Sequence, residues 1–172
     1  MFSHVTVGTS KLTRALRFYD AALAPLGIIR QNTYKVAAGY GPQGCASTNH
    51  PFWVVRPLDG AAASAGNGVT VAFDAASRAA VDASYHAALA AGGKDEGPPG
   101  LRAHYHPNYY GAYVRDPDGN KICVVCHKAE QARVASPCCG TGKLPISASP
   151  DRRGAAWHRL QFVARPLRSL WP

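Results

Sequence analysis

Polar and apolar residues alternate through Val5-Thr6-Val7. From Leu12 onward the apolar positions fall three and four apart, at Leu12, Ala15, Leu16, Tyr19 and Leu23. Alternation marks a half-buried strand, and the wider spacing marks a helix with one apolar face. The chain is thus predicted to open with a strand over residues 2–8. A helix follows, with Thr9 or Ser10 as its cap and Pro25 and Gly27 as its stop. Strand-like runs come next near 28–31, 34–39 and 52–56, of which Phe52-Trp-Val-Val55 is the clearest. The order then begins again. Strand 69–74 leads to Ser77 as a cap, and Val81, Tyr85, Ala88 and Leu89 give a second helix face that ends at Gly92-Gly93. Gly97-Pro-Pro-Gly100 reads as a loop, and strands are predicted at 101–106 and 109–115. In Asp116-Pro-Asp-Gly-Asn120 the proline presets φ and the glycine accepts a positive φ, so this is a turn. Ile122 to His127 is the last strand.

The second half is a copy of the first. Phe18-Tyr-Asp-Ala-Ala-Leu-Ala-Pro-Leu-Gly27 matches Ser84-Tyr-His-Ala-Ala-Leu-Ala-Ala-Gly-Gly93 at six of ten positions, with an offset of 66 residues. At that offset His4 is equivalent to Thr70. A repeated β-α-β-β-β unit fixes the architecture before any single residue is considered. The predicted fold is α+β: two βαβββ modules forming an open, cupped mixed sheet with helices outside. Module 1 covers about 1–58 and module 2 about 68–128, joined by an Ala/Gly/Ser-rich connector. A cleft is expected where the copies meet.

Charge separates this body from the rest. Residues 1–128 carry 12 Lys/Arg against 8 Asp/Glu, and residues 129–172 carry 7 against 2. The basic residues of the body are scattered, which argues against a nucleic-acid footprint. Five prolines and three glycines interrupt residues 129–172, so that segment is predicted to be an irregular, disordered basic tail with at best a short helix near 155–164. No apolar run reaches the length of a membrane span, and no basic-then-apolar leader opens the sequence. A cytoplasmic location is the expectation. The five cysteines are an odd number without the spacing of a disulfide framework.

Cys123-Val-Val-Cys126-His127 matches, as a string, the attachment motif for c-type haem. It lies in an alternating run after a turn, however, and residues three apart in a strand point to opposite faces. Cys126 is then a small core residue and Cys123 looks into the cleft with Val125, on the same side as His4, Thr6, Thr70 and Ala72. Arg102, His104 and His106 share one face of their predicted strand, with Tyr109, Tyr110 and Tyr113 nearby. Aromatic rings with a few polar tips suit a small-molecule pocket. A thiolate at Cys123 beside His4 would be a nucleophile. A plain structural role for each residue stands beside these readings.

The double βαβββ order resembles the vicinal oxygen chelate superfamily of glyoxalases, bleomycin-resistance proteins and extradiol dioxygenases. The residues that carry the resemblance are His4-Val-Thr-Val7, Arg17-Phe-Tyr-Asp20, Leu26-Gly27 and the Asp116-Pro-Asp-Gly-Asn120 turn. Tyr105-His-Pro-Asn-Tyr-Tyr-Gly111 is similar to a motif of small glyoxalase-like members. The resemblance covers residues 1–128 and implies a divalent metal held by side chains of the first and last strands of each module. His4 is the only position that matches the usual ligand pattern. Its partner falls near Trp53 to Val55, Thr70 stands where a second His is common, and Cys123 where a Glu is expected. That set is too small for zinc or magnesium. The expectation is therefore a protein that binds a small organic molecule without metal or other cofactor. Candidate binding residues are His4, Trp53, Thr70, Arg102, His104, His106, Tyr109, Tyr110 and Cys123, and catalytic residues are unassigned. The alternatives are a metal-dependent lyase or dioxygenase of the same superfamily and a non-catalytic sequestration or structural module. A homodimer is compatible with the resemblance; specific nucleic acid and membrane partners are not expected.

Overall fold

Two short strands that bracket a helix start each module. The structure, a computed structural model, describes residues 2–44 and 50–130. In module 1, β1 (Val5–Gly8) is followed by α1 (Leu12–Leu23), β2 (Ile28–Thr33), β3 (Ala37–Pro42) and β4 (Phe52–Val55). In module 2, β5 (Thr70–Asp74) is followed by α2 (Arg78–Ala90), β6 (Lys94–Leu101), β7 (Tyr110–Arg115) and β8 (Lys121–Cys126). The chain is α+β with two βαβββ modules, as the repeat implies. The eight strands form two four-stranded sheets, ordered β1-β4-β3-β2 and β5-β8-β7-β6. The first strand of each runs parallel to the last, with Val5 opposite Phe52 and Val71 opposite Ile122. The expectation for the tail lies outside the described residues, apart from Ala129 and Glu130.

The helices end where glycine allows it. Ser77 caps α2, its Oγ accepting from the Ala80 amide at 3.2 Å, and Gly27, just past the single 3-10 turn that follows α1, has φ 70°. Thr9 and Ser10 do not cap α1 in the ordinary way. The Thr9 hydroxyl donates to Asp118 at 2.6 Å, and the Ser10 amide donates to the same carboxylate at 3.0 Å. Arg14 completes the cluster on Asp118 at 2.9 Å. The β7–β8 turn of module 2 thus anchors the first turn of the module 1 helix.

One core serves both modules. Phe18 and Tyr19 of α1 and Val81, Tyr85 and Ala88 of α2 are buried against the helix-side residues of the sheets. Phe52 of β4 meets Phe73 of β5 edge to face, with ring centroids 5.1 Å apart. Ser84 donates to the Ala22 carbonyl at 2.6 Å, joining the two helices. Burying one such aromatic side chain is worth about 1.5–3 kcal/mol. The modules are therefore held together along their helical sides, which leaves the opposite faces of the sheets for other uses.

Two strand assignments differ from the sequence reading. Gly97-Pro-Pro-Gly100 lies within β6, not in a loop, and residues 102–109 form turns, not a strand. β6 is an edge strand whose pairing with β7 is interrupted twice, at Asp95/Gly97 and Gly97/Gly100. An edge strand with bulges is where prolines are tolerated, because their missing N–H costs no ladder bond. Among the described residues no helix is long and apolar enough to cross a membrane.

Candidate functional site

Register gives the equivalences between the two faces that turn away from the helices. Gly39 and Thr6 sit opposite Trp53 in module 1, where module 2 has Tyr113 and Ala72 opposite Cys123. Trp53 is thus the counterpart of Cys123, and Gly39 of Tyr113. The exchange of a large residue for a small one reverses the packing. In module 1 the His50 ring lies directly on Gly39, so close that a Cβ there would overlap it. His50 is buried, Asn32 donates to its Nε2 at 2.7 Å, and Trp53 packs beside it at 5.2 Å. Tyr34 stacks on Trp53 as well, with ring centroids 6.2 Å apart. Over Gly39, this face is covered by the protein's own side chains.

The same face of module 2 is open. It forms a concavity of about 550 Å³ with Cys123 on its floor and Thr70 and Ala72 along one side. That volume is within the usual range for small-molecule sites. Tyr113 comes from β7. Tyr109 precedes the strand, and its ring lies across Gly111, where a side chain would leave only 3.0 Å. The missing side chain lets the Tyr109 hydroxyl reach Tyr113 Oη at 3.2 Å and Cys123 Sγ at 3.6 Å. Arg102, Tyr105, Lys121 and Glu96 form the rim.

The turns between β6 and β7 deliver three of these groups. The Arg102 amide donates to the Tyr109 carbonyl at 2.7 Å, closing the segment, and the Tyr105 amide donates to the Arg102 carbonyl at 3.0 Å. The charges on the rim are unequal. Glu96 is bonded to Arg115 and, at 3.2 Å, to Lys121. Hydrogen bonds from these two cations hold its carboxyl below the usual range. Arg102 has no carboxylate partner among the described residues.

Burial pushes the Cys123 thiol up; hydrogen bonds from Tyr109 and Tyr113 and the charges of Lys121 and Arg102 pull it part of the way back. The phenols of Tyr109 and Tyr113 are likewise raised, chiefly by burial. At neutral pH the floor is therefore a set of uncharged donors, a thiol and two phenols. It is suited to holding an acceptor group. A thiolate nucleophile needs a depressed pKa, and the environment here acts the other way.

The structure brings Thr70, Arg102, Tyr109 and Cys123 together among the residues singled out from sequence. The others lie elsewhere. His4 is exposed just before β1, with its Nδ1 3.2 Å from Ser3 Oγ. Trp53 belongs to the corresponding face of module 1. Tyr110 points to the helix side, where its hydroxyl donates to Asp82 at 2.8 Å and the Arg78 guanidinium lies over its ring. His104 is exposed against Tyr105. His106 pairs with His127, Nε2 to Nδ1, at 2.7 Å. Tyr113, Lys121 and Glu96 complete the concavity. For Lys121 and Tyr113 the signal was available: counted in twos from Cys123 along β8, and across to its partner in β7, both share its face.

The donor set does not fit the metal that the family resemblance implies. Of the four positions, Trp53 and Thr70 carry no usual ligand, His4 stands outside its strand, and Cys123 is bonded to Tyr109. Among the described residues no three His, Cys, Asp or Glu side chains are grouped as ligands. Cys123 and Cys126 lie on opposite faces of β8, Cys126 in the core, so they form no joint site either.

Comparison with known proteins agrees with the fold. The family model described as Glyoxalase/Bleomycin resistance protein/Dioxygenase superfamily matches residues 1–124. A crystal structure of a glyoxalase/bleomycin resistance protein from Albidiferax ferrireducens T118 is 42% identical, with TM-score 0.64, covering 73% of this chain and 98% of that one. A glyoxalase-related enzyme from Fulvimarina pelagi is 18% identical, with TM-score 0.58, covering 73% and 87%. A glyoxalase/bleomycin resistance protein/dioxygenase family enzyme from Burkholderia phytofirmans PsJN is 19% identical, with TM-score 0.56, covering 73% and 98%. No curated protein matches the sequence.

Proposed function

The chain belongs to the glyoxalase/bleomycin resistance protein/dioxygenase superfamily, and on that premise we propose that it binds a small organic molecule on the concave face of its second module, without the metal typical of the family. The observation that carries this reading is the contrast between the modules. His50 covers Gly39 beside Trp53 in module 1, while Tyr113 and Cys123, the counterparts of Gly39 and Trp53, border about 550 Å³ of open space. The concavity is shallow and open, and it sets a few convergent polar groups beside aromatic rings, the kind of groups by which small-molecule sites orient a ligand. The groups on it are suited to recognising and orienting a ligand, which makes binding the primary role in this reading.

The test is a thermal-shift screen of small organic molecules on the full chain, before and after treatment with a chelator. Ligands that bind the native state raise the melting temperature in proportion to occupancy. Hits are expected to survive chelation and to perturb the NMR signals of Thr70, Tyr109 and Cys123. Stoichiometric zinc, nickel or manganese in the untreated protein, with hits lost on chelation, would overturn the metal-free reading.

A further inference from the structure

We propose that this concavity is selective for aromatic carboxylates, with Arg102 pairing with the carboxylate and the exposed ring of Tyr105 lying against the aromatic ring. The inference rests on the small-molecule reading above and names its ligand class. It starts from the charge on the rim. Arg102 and Lys121 face the space together with Glu96, two cations against one carboxylate. Glu96 already holds Lys121 and Arg115. The guanidinium of Arg102 is the cation left over among the described lining residues.

That guanidinium is held in place in advance. Its Nη2 donates to the Pro98 carbonyl at 2.8 Å, which uses one of its five N–H groups. It lies along the bulged part of β6 between two glycines. A Cβ on Gly100 would come within 3.0 Å of Nη1, and one on Gly97 within 3.5 Å of Nη2. The two bare backbone positions give the planar fork a seat, and among the described residues its remaining donors meet no other acceptor. A bidentate guanidinium–carboxylate pair is the strong form of such contacts.

The rest of the ligand follows from the walls. The rings of Tyr105 and Tyr109 lie 4.8 Å apart at 48°. Tyr105 is 61% exposed, a large aromatic surface left open at the mouth. A flat ring set against it buries apolar area that is otherwise wet. At the far end the Tyr109 and Tyr113 hydroxyls and the buried Cys123 thiol, bonded to one another, make a neutral floor that gives a second anion no counter-charge.

Isothermal titration of the full chain with 2-naphthoate, 2-naphthamide and acetate tests this. The acid and the amide share size and ring and differ in charge. Naphthoate is expected to bind at least about tenfold more tightly than naphthamide, about 1.4 kcal/mol, and acetate more weakly than either. Arg102→Gln should remove the gap between acid and amide while naphthamide binding stays. Arg102→Lys should restore part of the gap, since it keeps charge and loses the fork. Equal affinities for acid and amide in the native protein would overturn the ligand class and leave the binding reading standing. Equal loss of both probes in Arg102→Gln would reduce Arg102 to a positioning residue and also overturn it. If none of the three probes binds and no molecule in the wider screen perturbs Thr70, Tyr109 or Cys123, the binding reading falls as well.

Discussion

Trp53 and Cys123 occupy the same place in the two modules, each opposite the strand residue that decides whether its face is covered or open. Opposite Trp53 is Gly39, and opposite Cys123 is Tyr113. The missing side chain at Gly39 admits the His50 ring. The pair shows how one repeated unit came to have its outer face covered over Gly39 in one half and open in the other.

Gly39→Ala should therefore destabilise the protein out of proportion to one methyl group. The added Cβ overlaps a buried ring, and overpacking of this kind costs about 1–3 kcal/mol. Urea unfolding measures it. Replacing His50 by Ala as well should recover part of the loss. A double variant that is less stable than the sum of the single changes would show that the ring is not the obstacle.

Asp118→Ala should cost about 2–3 kcal/mol, since bonds to a buried carboxylate are of the stronger kind. Three groups of module 1 lose their acceptor together: the Thr9 hydroxyl, the Ser10 amide and the Arg14 guanidinium. Amide hydrogen exchange should speed up first in the opening turn of α1. Exchange that rises evenly over both helices would contradict the anchoring role.

Stability should fall at alkaline pH, and Tyr19 should account for part of the fall. Burial first, and then the charge of Asp116 and the hydrogen bond to it, raise its phenol well above the ordinary value. The folded chain keeps this proton, while an unfolded chain releases it from about pH 10. The contribution is thus complete below about pH 10 and is lost as the pH rises beyond it. Tyr19→Phe should start from lower stability, having lost a bond to Asp116 of 2.8 Å, yet decline less steeply between pH 9 and about pH 11. Parallel declines would assign the alkaline loss elsewhere, with Tyr40 beside Asp20 the next group raised by burial.

Cys123 should alkylate slowly. Its thiol is raised by burial, so iodoacetamide at pH 8 should modify it well below the rate of an unhindered cysteine. The rate should keep rising above the pH at which an ordinary thiol has levelled off. Peptide mass spectrometry separates this site from the other cysteines. Fast modification at pH 7 would mean a thiolate, and would revive the nucleophile reading.

Much of this was legible along the chain, for physical reasons that also explain the rest. The module order could be read because the two copies share both period and helix sequence. The cap at Ser77 and the turn at Asp116 are local chemistry. β6 was hidden because Gly97-Pro-Pro-Gly100 reads as a loop, and only its edge position with two register shifts makes room for the prolines. Arg102, His104 and His106 alternate like a strand, but alternation of polar residues alone specifies no buried face. Tyr110 was misgrouped with Tyr109, although counting in twos from the buried Ala112 and Val114 places it on the helix side. The seating of His50 on Gly39 joins distant residues through packing, and no local pattern carries it.

The Asp118 anchor also sets an order of events during synthesis. Thr9 and its partner Asp118 are 109 residues apart. A ribosome adding about 5–20 residues per second delivers the second roughly 5–20 s after the first. Through that interval the first helix lacks its anchor, although Phe52 gains Phe73 well before its end. The nascent amino-terminal half thus waits on its carboxy-terminal partner for the carboxylate that pins its first helix. The carboxylate that holds the start of the first helix is thus among the last residues of the body to be made.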